Sequence, residues 1–262
     1  MKLGLPKAIG EIVGDGAYET DALGKSGAAI RLYGHCVLKV EPQGEEAENA
    51  VRMMRWLAGK LPVPRILHHE VSGGMSYLLM TRVQGAMCCD EAYMRRPAEL
   101  TRLLAQGLRM LWAVEAQGCP VQNGLEEKLR RARVRVQRGL VDMQDSEPGT
   151  YGPGGFRDPA HLLDWLCANR PGEEPVLSHG DFCLPNVFAR NGNVSGFIDL
   201  GRAGMADRWQ DIALCYRSLA HNADGTFGDT YRGFAPQKLF DALGMAPDWE
   251  KIRYYILLDE LF

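Results

Sequence analysis

The 262-residue sequence contains no uninterrupted run of eighteen apolar side chains, roughly the minimum length for a helix that crosses a bilayer. Its first segment, MKLGLPKAIGEIV, is broken by Pro6 and Glu11 where a secretory signal needs an unbroken apolar core. The expectation is therefore a cytoplasmic protein with no membrane partner. Cysteine spacing is equally uninformative for a metal: the seven cysteines are odd in number and never form CxxC, which argues against a disulfide framework and against zinc. The neighbours Cys88-Cys89 and His68-His69 do not change this, since adjacent side chains on a strand point to opposite faces. Reduced, mostly buried thiols are expected. Excess charge of one sign is also missing. A formal net charge of −3 leaves no footprint for a nucleic-acid partner, while a cationic small substrate remains compatible.

What is present is a globular composition, 46% hydrophobic and 24% charged, in a chain long enough for one large domain or two lobes. No internal repeat or low-complexity tract occurs. From Ala28 to Val40 the residues alternate and are rich in β-branched and aromatic types, with Gly34 where a hairpin turn would sit. Lys39 lies near the end of the second strand and projects from the face opposite Leu38 and Val40. The preceding Gly24-Lys25-Ser26 mimics the end of a P-loop, but Glu19 stands where that motif needs glycine, and a strand follows instead of a helix. The turn either covers a phosphate with its backbone N–H groups or is an ordinary hairpin loop. Helical spacing of Ala47, Ala50, Val51, Met54 and Leu57 predicts a helix over 45–60. It carries Glu46 on the face of Ala50 and Met53, so Glu46 is the expected partner of Lys39; Glu48 is expected to pair with Arg52. Residues 63–71 and 76–84 read as another hairpin, running into Gly85.

Beyond Gly85 the pattern becomes helical: 98–117, 125–143, 159–169, 207–220, 237–243 and 248–261. The intervening DSEPGTYGPGG is a flap or a disordered connection. A small β-rich lobe thus precedes a larger helical lobe. The stretch 176–214 carries the chemistry: VLSHGDFCLPNVF, then NGNVSGFIDLGRAG, then ADRWQDIAL. Asn186 and Asp199 offer oxygen ligands for Mg²⁺, which needs few protein carboxylates when phosphates supply the rest. Asp181 remains to accept a hydrogen bond from an attacking hydroxyl.

At His179-Gly180-Asp181, Asn186 and Ile198-Asp199-Leu200-Gly201 the sequence resembles the aminoglycoside 3′-phosphotransferases, the antibiotic-kinase branch of the protein-kinase-like fold, and among them the type III enzyme of Gram-positive bacteria. The resemblance runs nearly the full length and is densest in VSGFIDLGRAGMADRWQDIA, GKLPVP and PDWEKIRYYILLDELF. It implies an α+β, protein-kinase-like bilobal fold, with a small antiparallel β-rich N-lobe and a larger, mainly helical C-lobe. Residues 1–84 would be the nucleotide-binding lobe, with a hinge at about 80–84 whose backbone around Thr81 to Val83 meets the purine, and 85–262 the catalytic and acceptor lobe. The implied reaction is transfer of phosphate from ATP, with GTP as a second candidate donor, to an aminoglycoside hydroxyl, first of all the 3′-hydroxyl. Asp181 takes the catalytic role, Asn186 and Asp199 the Mg²⁺ ligand roles, Lys39 and Ser26 the phosphate contacts, and Asp259, Glu260 and Phe262 with its carboxylate the acceptor site. The expected partners are nucleotide and aminoglycoside only, in a monomer or weak dimer.

Four departures accompany the resemblance. The family's lysine-pairing glutamate stands six residues before Trp56, a position held here by Ala50. The residue that stacks on adenine matches Val37, the acidic flap is reduced to Asp145 and Glu147, and a further acidic acceptor position matches His221. Two other readings keep or weaken the chemistry: a kinase of another amino-sugar or small cation, and a nucleotide-binding relative with little turnover.

Overall fold

Alternation of apolar and polar side chains builds the first layer. In a computed structural model that describes residues 5–14, 16–21, 28–226, 228–231 and 234–262, helix α1 (Lys7–Val13) and strand β1 (Glu19–Asp21) precede the hairpin β2 (Ala29–Leu32) and β3 (Cys36–Pro42). Ser26, with the Gly24-Lys25 turn, lies outside the described residues. Cys36, Leu38 and Val40 of β3 are buried against Ile9, Tyr33, Tyr77 and Leu79, so Val37, Lys39 and Glu41 face the other way. Helix α2 (Glu45–Leu57) follows, and then the hairpin β4 (Ile66–Ser72) and β5 (Met75–Thr81) completes an antiparallel sheet of order β1-β2-β3-β5-β4. β3 is central, with Lys39 opposite Ile30 of β2 and Leu78 of β5.

After β5 the chain crosses to the second lobe. Ala86 of β6 (Ala86–Met87) already pairs with Ala189 of the three-stranded sheet β6-β8-β9, formed with β8 (Val187–Arg190) and β9 (Asn193–Phe197). Gly85 makes the crossing at φ 114°, and a Cβ there would lie 2.3 Å from the Ala189 carbonyl oxygen. Only glycine fits such a passage.

The second lobe is mainly helical, with α3 (Glu91–Met94), α4 (Pro97–Trp112), α5 (Leu125–Gln137) and α6 (Pro159–Ala168), then α7 (Arg208–Asp224), α8 (Lys238–Leu243) and α9 (Trp249–Asp259). Leu100, Leu103, Leu104 and Leu108 make a continuous apolar stripe on α4, as the 3.6-residue period requires. The helices begin where the chemistry allows: Asp90, Asp158, Asp207 and Asp248 each accept a backbone N–H at an N-cap. Helix α5 stops at Gln137, short of the expected Met143, because Arg138 caps it and Gly139 turns away at φ 64°. The segment DSEPGTYGPGG is an anchored flap, held by Phe156 N–H on the Thr150 carbonyl at 2.7 Å and by Glu147 N–H on Glu260 at 2.9 Å.

A short antiparallel ladder absent from the sequence reading joins β7 (Pro175–Ser178) to β10 (Gly204–Asp207). It clips the segment before the Asp181 turn to the one before α7. Asp207, at 1% exposure, ends that ladder and accepts from Tyr255 Oη at 2.8 Å, Glu174 N–H at 3.2 Å and Trp209 N–H at 3.3 Å. A helix cap contributes about 1 kcal/mol and a charged, buried hydrogen bond about 1.5–3 kcal/mol. Asp207→Ala is expected to lower the unfolding free energy by about 3 kcal/mol in urea titration, and Tyr255→Phe by about 1 kcal/mol. An Asp207→Ala loss under about 1 kcal/mol would contradict this account.

Candidate active site

The turn that carries Asp181 is held from behind. Asp211 of α7, fully buried, accepts from Ser178 Oγ at 3.0 Å, His179 N–H at 2.7 Å and Gly180 N–H at 2.9 Å. Burial pushes its pKa up, against the His179 charge and these donors, which pull it down. Gly180 turns at φ 81°, where a Cβ would sit 1.9 Å from the Arg202 carbonyl oxygen. His179 is fully buried, and its Nε2 donates to the Ile198 carbonyl at 2.9 Å, bracing the turn against the strand end that leads to Asp199. Sequence reading missed Asp211, although it stands inside the densest block of the resemblance, in WQDIA.

Past that turn Asp181 has both carboxylate oxygens occupied. Cys183 Sγ donates to Oδ1 at 3.3 Å and Asn186 Nδ2 to Oδ2 at 3.0 Å. Burial, then the nearby Asp181, push the Cys183 thiol well above its usual pKa, so it stays protonated. The backbone carbonyl of Asn186 accepts Ile198 N–H at 3.0 Å, which ties the Asp181 turn to Asp199.

Asp199 has left-handed backbone, φ 58° and ψ 62°, at the start of the 3₁₀ turn Leu200–Arg202. That conformation is rare for a side-chain-bearing residue and concentrates at functional sites. It aims Oδ1 at Lys39 Nζ, 3.1 Å away, across the two lobes. Burial alone would push the Asp199 carboxyl up, but the Lys39 charge and hydrogen bond hold it below the usual range. Reciprocally, burial works against the Lys39 ammonium, and Asp199 and Glu41 outweigh it, so its pKa is raised.

Glu41 is the unforeseen partner, 3.1 Å from Lys39 Nζ. Glu46 goes elsewhere, and this corrects the expected Lys39–Glu46 pair: Glu46 Oε1 lies 3.2 Å from Arg202 Nε. The reason is the direction of α2. Its Glu46–Asn49 face meets the 3₁₀ turn, where buried Asn49 donates to the Gly201 and Ala203 carbonyls at 2.8 and 2.9 Å. Glu48 likewise accepts from Gln43 at 2.8 Å instead of meeting Arg52. Between the lobes, Thr81 N–H is spent on the Arg65 carbonyl at 2.9 Å and Arg82 N–H on the His35 carbonyl at 3.3 Å, so neither is available for the purine contact expected around Thr81 to Val83. Val37 is half-buried on the Lys39 face of β3.

Next to Gly180, which precedes Asp181, a small cleft is lined by Glu46, Asp259, Lys128, Arg131, Arg202 and Phe262. Its acids are matched by arginines. Asp259 pairs with Arg202 at 3.3 Å and with Arg217, which also meets Glu260 at 3.5 Å and Glu147 at 3.7 Å. His221 Nε2 lies 3.1 Å from Glu147, and the Phe262 carbonyl oxygen accepts from Arg135 at 2.7 Å. Asp145 is exposed on the flap, two residues before Glu147. Burial pushes Glu260 up to about 7 and Lys128 down to about 8.

A lysine and an aspartate paired between a small antiparallel sheet and a helical lobe, with a second aspartate on a braced turn and an asparagine five residues on, define a protein-kinase-like phosphotransferase fold. The chain belongs to the phosphotransferase enzyme family, whose sequence profile matches residues 26–255. It is 42% identical over 220 residues to an aminoglycoside 3′-phosphotransferase of Enterococcus faecalis, covering 83% of this chain and 79% of that one. A streptomycin 3″-kinase of Streptomyces griseus is 34% identical over 252 residues, covering 91% and 89%. The solved structure of an aminoglycoside phosphotransferase from Streptomyces rimosus matches with a TM-score of 0.80 at 30% identity, covering 97% of this chain and 95% of that one. That enzyme has also been solved in complex with ADP and streptomycin. Among the described residues no helix is long and apolar enough to cross a membrane.

The Asp211 clamp predicts its own test. Asp211→Asn turns an amide N–H toward a hydroxyl and two backbone N–H groups that now donate to Asp211, at about 1.5–3 kcal/mol for each charged hydrogen bond lost. The expected result is a fall in kcat of about a hundredfold, with nucleotide KM changed far less. A kcat within about threefold of wild type would show that the turn holds without it.

Proposed function

We propose that this protein transfers the γ-phosphoryl group of ATP to a hydroxyl of an aminoglycoside, the 3′-hydroxyl being the first expectation, and so confers resistance. The observation that carries this reading is the Lys39–Asp199 pair and the Asn186–Asp181 hydrogen bond beside a cleft, reaching Gly180, in which Glu46 and Asp259 are paired with arginine. Asp181 accepts the hydrogen bond of the attacking hydroxyl and takes its proton as the bond to phosphorus forms. Lys39 contacts the α- and β-phosphates. The acids of the cleft receive ammonium groups of the acceptor by exchanging them for the arginines they hold.

The residues fit a divalent cation. Asn186 points its amide nitrogen at Asp181, leaving its carbonyl oxygen as the ligand atom, and the strained Asp199 supplies a carboxylate. Among the described residues no group of three or more His, Cys, Asp or Glu could hold a metal, so phosphate oxygens complete the shell, as suits Mg²⁺. When bound, Mg²⁺ supplies charge neutralisation at the β- and γ-phosphate oxygens.

A coupled ADP-release assay across kanamycin, neomycin and streptomycin, with ATP and GTP compared, tests the reading. Asp181→Ala is expected to lower kcat by at least about a thousandfold while nucleotide binding persists. No aminoglycoside-stimulated turnover in the wild type, or full turnover in Asp181→Ala, would overturn the assignment. A pH profile tests the carboxylates gathered around Arg217. Glu260 is raised to about 7, so it is neutral below that pH and anionic above it. A cationic acceptor is expected to bind more tightly as pH rises from about 6 to about 8. Glu260→Gln should flatten that rise; the same rise in both proteins would assign it to a group other than Glu260.

A further inference from the structure

The ammonium of Lys39 has two carboxylate partners at 3.1 Å, Asp199 and Glu41. Only one of them is free to stay. In the phosphotransferase reading Asp199 serves the cation, so when nucleotide is bound the carboxylate that remains on Lys39 is Glu41. Helix α2 has none to offer: Glu45 is on Arg131 at 2.7 Å, Glu46 on Arg202 at 3.2 Å and Glu48 on Gln43 at 2.8 Å, while Ala50 is buried and has no carboxylate.

Glu41 is placed for the task by strand geometry. It stands two residues after Lys39 on β3, so both side chains leave the same face. Their side chains are only 11% and 15% exposed, unlike a solvated surface pair. The backbone beneath them is fixed, because Lys39 pairs with Leu78 and Glu41 with Ser76 of β5.

We propose that Glu41 is the positioning residue that orients Lys39 toward the nucleotide phosphates, in place of a glutamate on α2; this rests on the phosphotransferase reading above. The phosphate grip is then built into one strand. Its geometry does not depend on where α2 sits, and Ala50 carries no implication of lost turnover.

The test uses ADP binding measured by calorimetry in EDTA, together with steady-state kinetics, on Glu41→Gln, Glu41→Asp, Lys39→Met and the double variant Lys39→Met/Glu41→Gln. Glu41→Gln is expected to weaken ADP binding and raise the ATP KM by about tenfold, with acceptor KM unchanged. Glu41→Asp, which keeps the charge, should recover part of the loss. The double variant should bind ADP no worse than Lys39→Met alone, since the two residues act as one unit. Wild-type ADP affinity in Glu41→Gln, or losses that add in the double variant, would overturn the proposal. So would a raised ATP KM in Glu46→Gln alongside a normal one in Glu41→Gln. Weak binding by Lys39→Met with normal binding by Glu41→Gln removes only the role of Glu41. Normal binding by Lys39→Met removes the phosphate role of Lys39 itself.

Discussion

The buried carboxylate of Asp211 is the constraint on which the turn bearing Asp181 depends. A carboxylate taken out of water is costly unless its oxygens are met by donors. Asp211 meets three, all from the consecutive residues Ser178, His179 and Gly180. Satisfying one buried charge therefore fixes the backbone immediately before Asp181. The left-handed turn at Gly180, pressed against the Arg202 carbonyl, and the His179–Ile198 hydrogen bond carry that constraint to Asp199. Two carboxylates separated by eighteen positions in sequence thus share one rigid frame.

Around that frame the charges are balanced within the protein. Lys39 bridges Asp199 and Glu41, while Arg202 joins Glu46 to Asp259 and Arg217 gathers Glu147, Asp259 and Glu260. Burial opposes the charge of Arg202, yet Asp259, Glu46 and Asp181 hold its pKa above the ordinary value. A ligand entering such a site exchanges partners with existing ion pairs, so its affinity reports a difference between two sets of contacts. Selectivity among cationic acceptors then follows from which arginine contacts they replace, more than from the number of acids in the cleft.

The residues proposed for the site were picked out before any fold was known. Asp181, Asn186 and Asp199 stand in short motifs where oxygen ligands and a carboxylate recur at spacings suited to phosphate chemistry. The period-two pattern around Lys39 placed it on one face of a strand. That same pattern contained Glu41 at the next same-face position, and it was overlooked because a helix carboxylate was expected. The choice of Glu46 failed for a longer-range reason: its face is set by buried Asn49, whose amide must reach the Gly201 and Ala203 carbonyls, some 150 residues away. The clamp by Asp211 and the β7–β10 ladder were invisible for the same cause.

What the sequence by itself determined was local: which segments are strands and helices, and that a β-rich lobe precedes a helical one. Those follow from side-chain period and turn chemistry, which act over a few residues. Only the tertiary structure decided which charge meets which. An ion pair depends on where two distant elements come to rest, and the helix direction that buries Asn49 also gives Glu46 to Arg202 and leaves Lys39 to Glu41.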